Sequence, residues 1–284
     1  MDSVRGLAAL AAVAMLAMTG LMHADQIRVA LEPAASTVRV ASTQANDALR
    51  LAMGGQGGQQ KTAPIAEPDP QVAMQSDAAN RLRGKIPSNL YPYFDVFLYV
   101  SKSAQGSLAQ HMYIFHKDAA NNLVYEENFP VSTGRERREK YFTTTPVGLF
   151  QLDPNRFVRM HRSRTWNNAA MPYAMFLDAT IRGRQTGIAL HSSGNRHAAL
   201  LGNRASGGCV RLPPEKAAYL FNRFRDQEQG MVPVFAFDSA HNRTSGDGMV
   251  QRDANGDPVM QYGYRVLLFI EDYPGGPAFV AVVA

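Results

Sequence analysis

Ile188-Ala189-Leu190-His191-Ser192-Ser193 and, one loop later, Ala205-Ser206-Gly207-Gly208-Cys209-Val210-Arg211-Leu212 are the two most informative runs of this chain. The first is a β-forming run that ends on a histidine. The second puts the only cysteine of the chain behind two glycines, just before a stretch that reads as a helix from Pro213. The chain begins like an exported protein, and a lone thiol there has no internal disulfide partner. It is buried and inert, paired with another molecule, or held free to react. The surrounding residues favour the last. Glycines let the backbone approach a substrate closely, and their amides can form an oxyanion hole. A histidine in hydrogen-bond reach generates the thiolate near neutral pH, provided its other nitrogen is fixed by a carbonyl or carboxylate.

Working outward, the segments 95–100, 110–116, 122–132, 143–152, 173–177, 186–190 and 232–237 read as short strands with turns between them. The segment 213–224 is the best helix. Pro213 and Pro214 suit its start, and Ala217, Ala218, Leu220, Phe221 and Phe224 give it one apolar side. Many short strands with few helices predict a mainly-β sandwich or barrel, with one short helix following the cysteine. Two further strand-like runs, 264–270 and 279–283, close the chain. The expected division is a signal segment over 1–24, a flexible linker over 25–93, a catalytic domain over 94–238 and a C-terminal β extension over 239–284.

The signal segment rests on Arg5 before an uncharged run at 6–22 and on His23-Ala24-Asp25, which offers cleavage after Ala24. The same run, uncleaved, is near the short end of a membrane anchor. Either reading exports the rest of the chain, to a periplasm or cell envelope. The linker rests on Gly54-Gly55-Gln56-Gly57-Gly58-Gln59-Gln60 and on Pro64, Pro68 and Pro70, a composition that buries little apolar surface.

The net charge of +5 favours anionic surroundings. A nucleic-acid partner is not expected, because the chain has no basic and aromatic motif of a known reader. Arg135, Arg137, Arg138 and Lys140 are interleaved with Glu136 and Glu139 and read as a solvated hairpin loop. His191, His197 and Cys209 invite a metal-site reading. Their spacing is not a helical i, i+4 pair and no acidic residue lies between the histidines, so no metal and no cofactor are expected. Trp166, close to Arg162 and Arg164, is expected on a loop beside the substrate groove.

Together these residues resemble the L,D-transpeptidases with the YkuD-type catalytic domain. That family has a His-Gly/Ser segment, a loop, then Ser/Thr-His-Gly-Cys-hydrophobic-Arg/Asn. Here the pattern is met by His191-Ser192-Ser193 and Ser206-Gly207-Gly208-Cys209-Val210-Arg211. Val131-Ser132-Thr133-Gly134 with Thr145-Pro146-Val147-Gly148-Leu149-Phe150 is similar to the family's paired strands. Met171-Pro172-Tyr173 is similar to the segment that supplies a tyrosine near the site. The resemblance spans roughly 95–237, and it departs at Gly207, where the family commonly has His.

The resemblance implies a two-step acyl transfer on peptidoglycan stem peptides, without a cofactor. Cys209 is the nucleophile and His191 the base. The amides of Gly208 and Cys209 are the oxyanion donors, with Tyr173 assisting. Ser192 and Ser206 position groups by hydrogen bonds. Arg211 stabilises the site or holds a substrate carboxylate, since a guanidinium suits bidentate carboxylate binding. A neighbouring stem amine as acceptor makes a 3→3 cross-link, and water makes the protein an L,D-carboxypeptidase. A lipoprotein-anchoring variant and an idle wall-binding domain with the same fold are the alternatives.

Overall fold

The computed structural model describes residues 69–137 and 143–276. The signal segment, the Gly/Gln-rich run, Arg138, Lys140 and the run 279–283 lie outside the described residues. The elements are α1 (Pro70–Lys85), β1 (Val96–Ser101), β2 (His111–Lys117), β3 (Leu123–Pro130), β4 (Gly148–Ser163), β5 (Ala169–Asp178), β6 (Ala189–Ser192), β7 (Val210–Leu212), α2 (Pro214–Gln227), β8 (Gln229–Pro233), β9 (Met260–Tyr264) and β10 (Val266–Glu271). Eight strands form one mixed sheet in the order β3-β2-β1-β10-β4-β5-β6-β7. The pairs β1/β10 and β6/β7 are parallel. The pair β8/β9 forms a separate antiparallel ribbon.

Strands β1 and β10 are apolar without alternation because both faces are covered. Val96, Leu98 and Val100, with Val266, Leu268 and Ile270, face a core closed by Ala217, Leu220, Phe221 and Phe224 of α2. Phe97, Tyr99, Leu267 and Phe269 face the opposite way, into a second core that includes Ala78 and Leu82 of α1. Pro214 opens α2, where its missing N–H is no loss. Arg223 ties the helix to β3 through Glu126 at 2.6 Å. Each fully buried Leu or Phe of α2 contributes about 1.5–3 kcal/mol of burial energy.

Two boundaries differ from the sequence expectation. The stretch given to a flexible linker, 25–93, is ordered over α1. Asp69 caps this helix by accepting from the Gln71 amide at 2.8 Å, and Arg81 donates to Glu271 on β10 at 2.7 Å. Its polar Gln, Asn and Arg residues read as linker because only a narrow stripe, Ala78, Ala79 and Leu82, is buried. The stretch given to a C-terminal extension, 239–284, supplies β10, which sits in the middle of the sheet between β1 and β4. Its parallel partner β1 lies at the other end of the domain, and local patterning carries no information about such pairing.

The strand that builds the site is β4. Its first residues pair with β10 at Phe150↔Leu268. A register shift between Leu152 and Phe157 bends the strand. Its second half pairs with β5 as a long hairpin. Asn167 (φ +49°) and Asn168 (φ +57°) turn the tip, in the left-handed region that asparagine tolerates.

Candidate active site

The turn that carries Cys209 is pinned by side-chain hydroxyls. Ser206 Oγ accepts from the Gly208 amide at 3.0 Å and donates to the Cys209 carbonyl at 2.5 Å. Thr145 Oγ1 donates to the Gly208 carbonyl at 2.8 Å and accepts from the Gly134 amide at 2.8 Å. Behind the turn, Lys102 is only 6% exposed. It donates to the Thr145 carbonyl at 2.8 Å and pairs with Glu136 at 2.9 Å. Gln110 bonds the Lys102 carbonyl and the Thr133 amide. A buried polar network satisfied in this way fixes a single backbone path. Gly208 is required by that path. Its φ is +110°, and a Cβ there would stand 2.9 Å from Ile188 Cδ1 and 3.1 Å from the Thr144 carbonyl oxygen.

The parallel β6/β7 register sets Leu190 beside Val210 and His191 beside Arg211. By strand alternation His191 and Arg211 share the sheet face of Ala189 and Cys209. The His191 ring is buried, and Nδ1 lies 2.8 Å from the Ser192 carbonyl. A carbonyl only accepts, so Nδ1 carries the proton and Nε2 of the neutral ring is the free base. Burial pushes the His191 pKa down to about 4, against the pull of the Ser192 carbonyl, with Arg211 adding to the drop. Burial pushes the Cys209 thiol up, partly offset by the Ala189 amide and Arg211. The resting pair is therefore a neutral imidazole and a neutral thiol. Among the described residues they do not hydrogen-bond each other; Sγ points at the Gly187 carbonyl, 3.7 Å away. The half-buried Arg211 donates to the Ala205 carbonyl at 3.3 Å, and no described carboxylate pairs with it.

Cys209 opens into a cleft of about 800 Å³, which it lines with Gly207, Trp166, His161, Phe176 and Ile188. The β4–β5 hairpin carries Trp166 over the cysteine turn, so the tryptophan does lie on a loop beside the groove. A Cβ added at Gly207 would stand 2.6–2.8 Å from three atoms of the indole. This contact is the physical reason for glycine where the resemblance leads one to expect histidine: the indole fills the space of a side chain at 207. The Arg135 guanidinium sits 5.2 Å from the Trp166 ring, within cation–π range.

Several expected residues are placed differently. Tyr173 does not line the cleft. Its ring packs edge-on against Phe221 of α2 at 5.7 Å, in the main core with Met175 and Leu177. Ala174 and Phe176 point the other way, toward Cys209. The left-handed φ of Tyr173, +54°, interrupts the alternation, so Met171 rejoins the Phe176 face. The Gly208 amide is committed to Ser206 within the turn, which takes it away from an oxyanion role and leaves the Cys209 amide from the expected pair. Ser192 acts through its backbone carbonyl on His191, while its hydroxyl accepts from the Gly194 amide at 3.0 Å. His197 ends a short helical turn, Gly194–His197, and does not line the cleft. Among the described residues no three His, Cys, Asp or Glu side chains gather as a metal site.

His161 is a residue that sequence alone does not single out, yet it lines the cleft with Cys209 and packs edge-on against Phe176 at 5.0 Å. No local motif marks it. The only signal for it is its place on β4, opposite Met171 in the β5 register.

Residues 96–259 match the family described as YkuD, the L,D-transpeptidase catalytic domain. No curated protein matches the chain. Among solved structures, the LD transpeptidase LdtMt1 in complex with imipenem is 16% identical, with 63% of this chain and 59% of that chain covered and a TM-score of 0.37. An L,D-transpeptidase from Mycobacterium smegmatis is 15% identical, with coverages of 63% and 59% and a TM-score of 0.34. The helical cell shape determining protein Pgp2 from Campylobacter jejuni is 13% identical, with coverages of 70% and 55% and a TM-score of 0.34. This chain thus spans less than two thirds of the length of these solved relatives. Among its described residues no helix is long and apolar enough to cross a membrane.

Proposed function

The chain belongs to the L,D-transpeptidase catalytic-domain family, YkuD, and from that premise we propose that it performs cysteine-dependent acyl transfer on peptidoglycan tetrapeptide stems in the cell envelope. The observation that carries this reading is the placement of the only thiol of the chain, in a hydroxyl-pinned turn at a cleft, on the sheet face that also carries a buried imidazole on the neighbouring strand. The Nδ1 proton of that imidazole is locked on the Ser192 carbonyl.

In the first step the thiol proton moves to His191 Nε2 as Sγ attacks the carbonyl carbon of the third stem residue. Thiol and imidazole share a hydrogen bond in this step; such bonds are often formed only in the substrate complex. The oxyanion is met by the Cys209 amide. The C–N bond to the terminal D-alanine then breaks, and the His191 proton goes to the leaving amine. A thioester remains on Sγ. In the second step an amine of a neighbouring stem gives its proton to His191 and attacks the thioester, which releases Sγ and forms a 3→3 cross-link. Water in place of the amine yields a tripeptide, the carboxypeptidase outcome.

Mass spectrometry of tetrapeptide muropeptides incubated with the full chain tests the reading. Cross-linked dimers made by the wild type and absent with Cys209→Ala support transpeptidation, whereas tripeptide monomers alone assign the carboxypeptidase activity. Turnover retained in Cys209→Ala rejects the mechanism, and an unmodified substrate with an unmodified Cys209 assigns an idle wall-binding domain.

A further inference from the structure

His161 stands in the Cys209 cleft with no task in either transfer step. It lies on β4 opposite Met171 of β5 and lines the cleft together with Cys209. Its ring meets the Phe176 ring edge-on at 5.0 Å. Phe176 belongs to the small apolar cluster of Met171, Ala174 and Ala189 against which Cys209 also packs. The imidazole and the thiol thus share one apolar wall. His111, His191 and His241 each spend Nδ1 on a carbonyl or a carboxylate. Among the described residues no hydrogen bond holds either ring nitrogen of His161.

The ring is half-buried. Burial holds its pKa below the ordinary histidine value, and the charge of Arg156 adds to the drop. Arg156 is itself tied to the Thr186 carbonyl at 2.9 Å and approaches Asp153 at 3.9 Å. The other charged side chains lining the cleft are Arg162, Arg164, Arg182 and Arg184, and a cation nearby favours the neutral ring. At neutral pH the imidazole is therefore uncharged, and one ring nitrogen offers a lone pair to a proton.

Aminolysis of a thioester needs more than one proton acceptor. At neutral pH an acceptor amine arrives as the ammonium. It sheds two protons in becoming an amide nitrogen, and the departing thiolate takes back only one. With its Nδ1 proton locked on the Ser192 carbonyl, the buried His191 relays a single proton, through Nε2. The other proton needs a base that lines the open cleft.

We propose that His161 is a second catalytic base, which takes the first proton of the acceptor ammonium, while His191 takes the second as the C–N bond forms. The tetrahedral intermediate then expels Sγ, which recovers the second proton from His191, and His161 returns the first to solvent. The proposal rests on the transpeptidase reading above and deepens it by naming the base that the acceptor meets.

The test acylates the full chain with a tetrapeptide donor, adds an acceptor and follows the Cys209 adduct by intact mass. His161→Gln keeps a polar side chain but no base. It should acylate within about twofold of wild type, which also shows that it is folded, and transfer to a stem amine at pH 7 about a hundredfold more slowly, the lower end of general-base catalysis. An alkoxyamine is already neutral at pH 7 and has no first proton to lose, so it should attack both proteins at rates within about twofold of each other. The defect toward the stem amine should also shrink as the pH rises toward about 10, where a free amine sheds its own proton. Slowed acylation, unchanged transfer to the stem amine, or an equal loss toward both acceptors overturns the proposal and leaves His161 a packing residue. A wild-type adduct that reacts with water alone also overturns it, with the cysteine chemistry intact. No adduct on wild-type Cys209 rejects the transfer reading and the proposal with it.

Discussion

Substituting Gly207 with alanine isolates the contact that shapes this site. The backbone at 207 is not in the left-handed region, so alanine brings no backbone strain there. By itself the change should stabilise the fold by about 0.4–1 kcal/mol, through lower entropy of the unfolded chain. Against this stands the indole. The new Cβ would lie 2.6 Å from Trp166 Cε2, 2.7 Å from Cζ2 and 2.8 Å from Nε1, and a rigid aromatic ring cannot yield as a flexible chain end does. Overpacking of this kind costs about 1–3 kcal/mol. The net expectation is a loss of about 1–2 kcal/mol, or an indole pushed off the turn. Equilibrium urea unfolding followed by far-UV circular dichroism measures the first, and the Trp166 emission maximum, shifted to the red, reports the second. In a Trp166→Ala background the same Gly207→Ala change should be neutral or slightly stabilising, which gives a coupling of about 1–3 kcal/mol in the double-mutant cycle. Gly207→His should displace the indole further and leave turnover no faster than wild type. A Gly207→Ala protein as stable as wild type, with unchanged emission and additive double-mutant energies, would show that the indole does not occupy the space at 207.

Other parts of the site give separate tests. The His191 pKa is depressed to about 4 in the folded state, against an unfolded value near 6.5, so the unfolded chain takes up the proton first as pH falls. About 3 kcal/mol of stability, present above pH 6.5, should be lost on acidification to pH 4. His191→Gln should flatten that slope in urea titrations run from pH 7 to pH 4. The same shift places the acid limb of kcat/KM near pH 4 rather than near 6.5, and a limb at the higher value contradicts a buried neutral base. Thr145→Val removes the donor to the Gly208 carbonyl and the acceptor of the Gly134 amide. It should cost about 1–3 kcal/mol in thermal or urea unfolding and slow acylation more than it weakens stem binding. Leu220→Ala on α2 should destabilise by about 2–5 kcal/mol without a change in the cleft fluorescence of Trp166.

Local signals carry the parts of the molecule that are legible in its sequence. His191 stands out because it closes a short apolar run with serines behind it, and Cys209 because it follows two glycines just before β7; the parallel β6/β7 register then sets the two strands side by side. The helix α2 is legible from its prolines and its apolar side. The strand β10 reads as a strand but not as the centre of the sheet, since its pairing with β1 joins opposite ends of the domain. The helix α1 is hidden by its polar composition; its docking depends on three small or aliphatic residues and on Arg81 reaching Glu271. Motif similarity puts Tyr173 at the site, and a single left-handed residue on β5 sends its ring into the core instead. Gly207 is visible as a departure, yet its cause, the indole of Trp166, comes from a distant hairpin that no spacing rule connects to it.

Intact-mass analysis of the full chain, quenched seconds after mixing with a tetrapeptide stem, is the direct test of covalent chemistry at Cys209. A covalent adduct with the mass of the stem less its terminal D-alanine is expected, confined by peptide mapping to Cys209, lost in Cys209→Ala and strongly slowed in His191→Ala. An adduct that forms on another residue, or at the wild-type rate without His191, would contradict it.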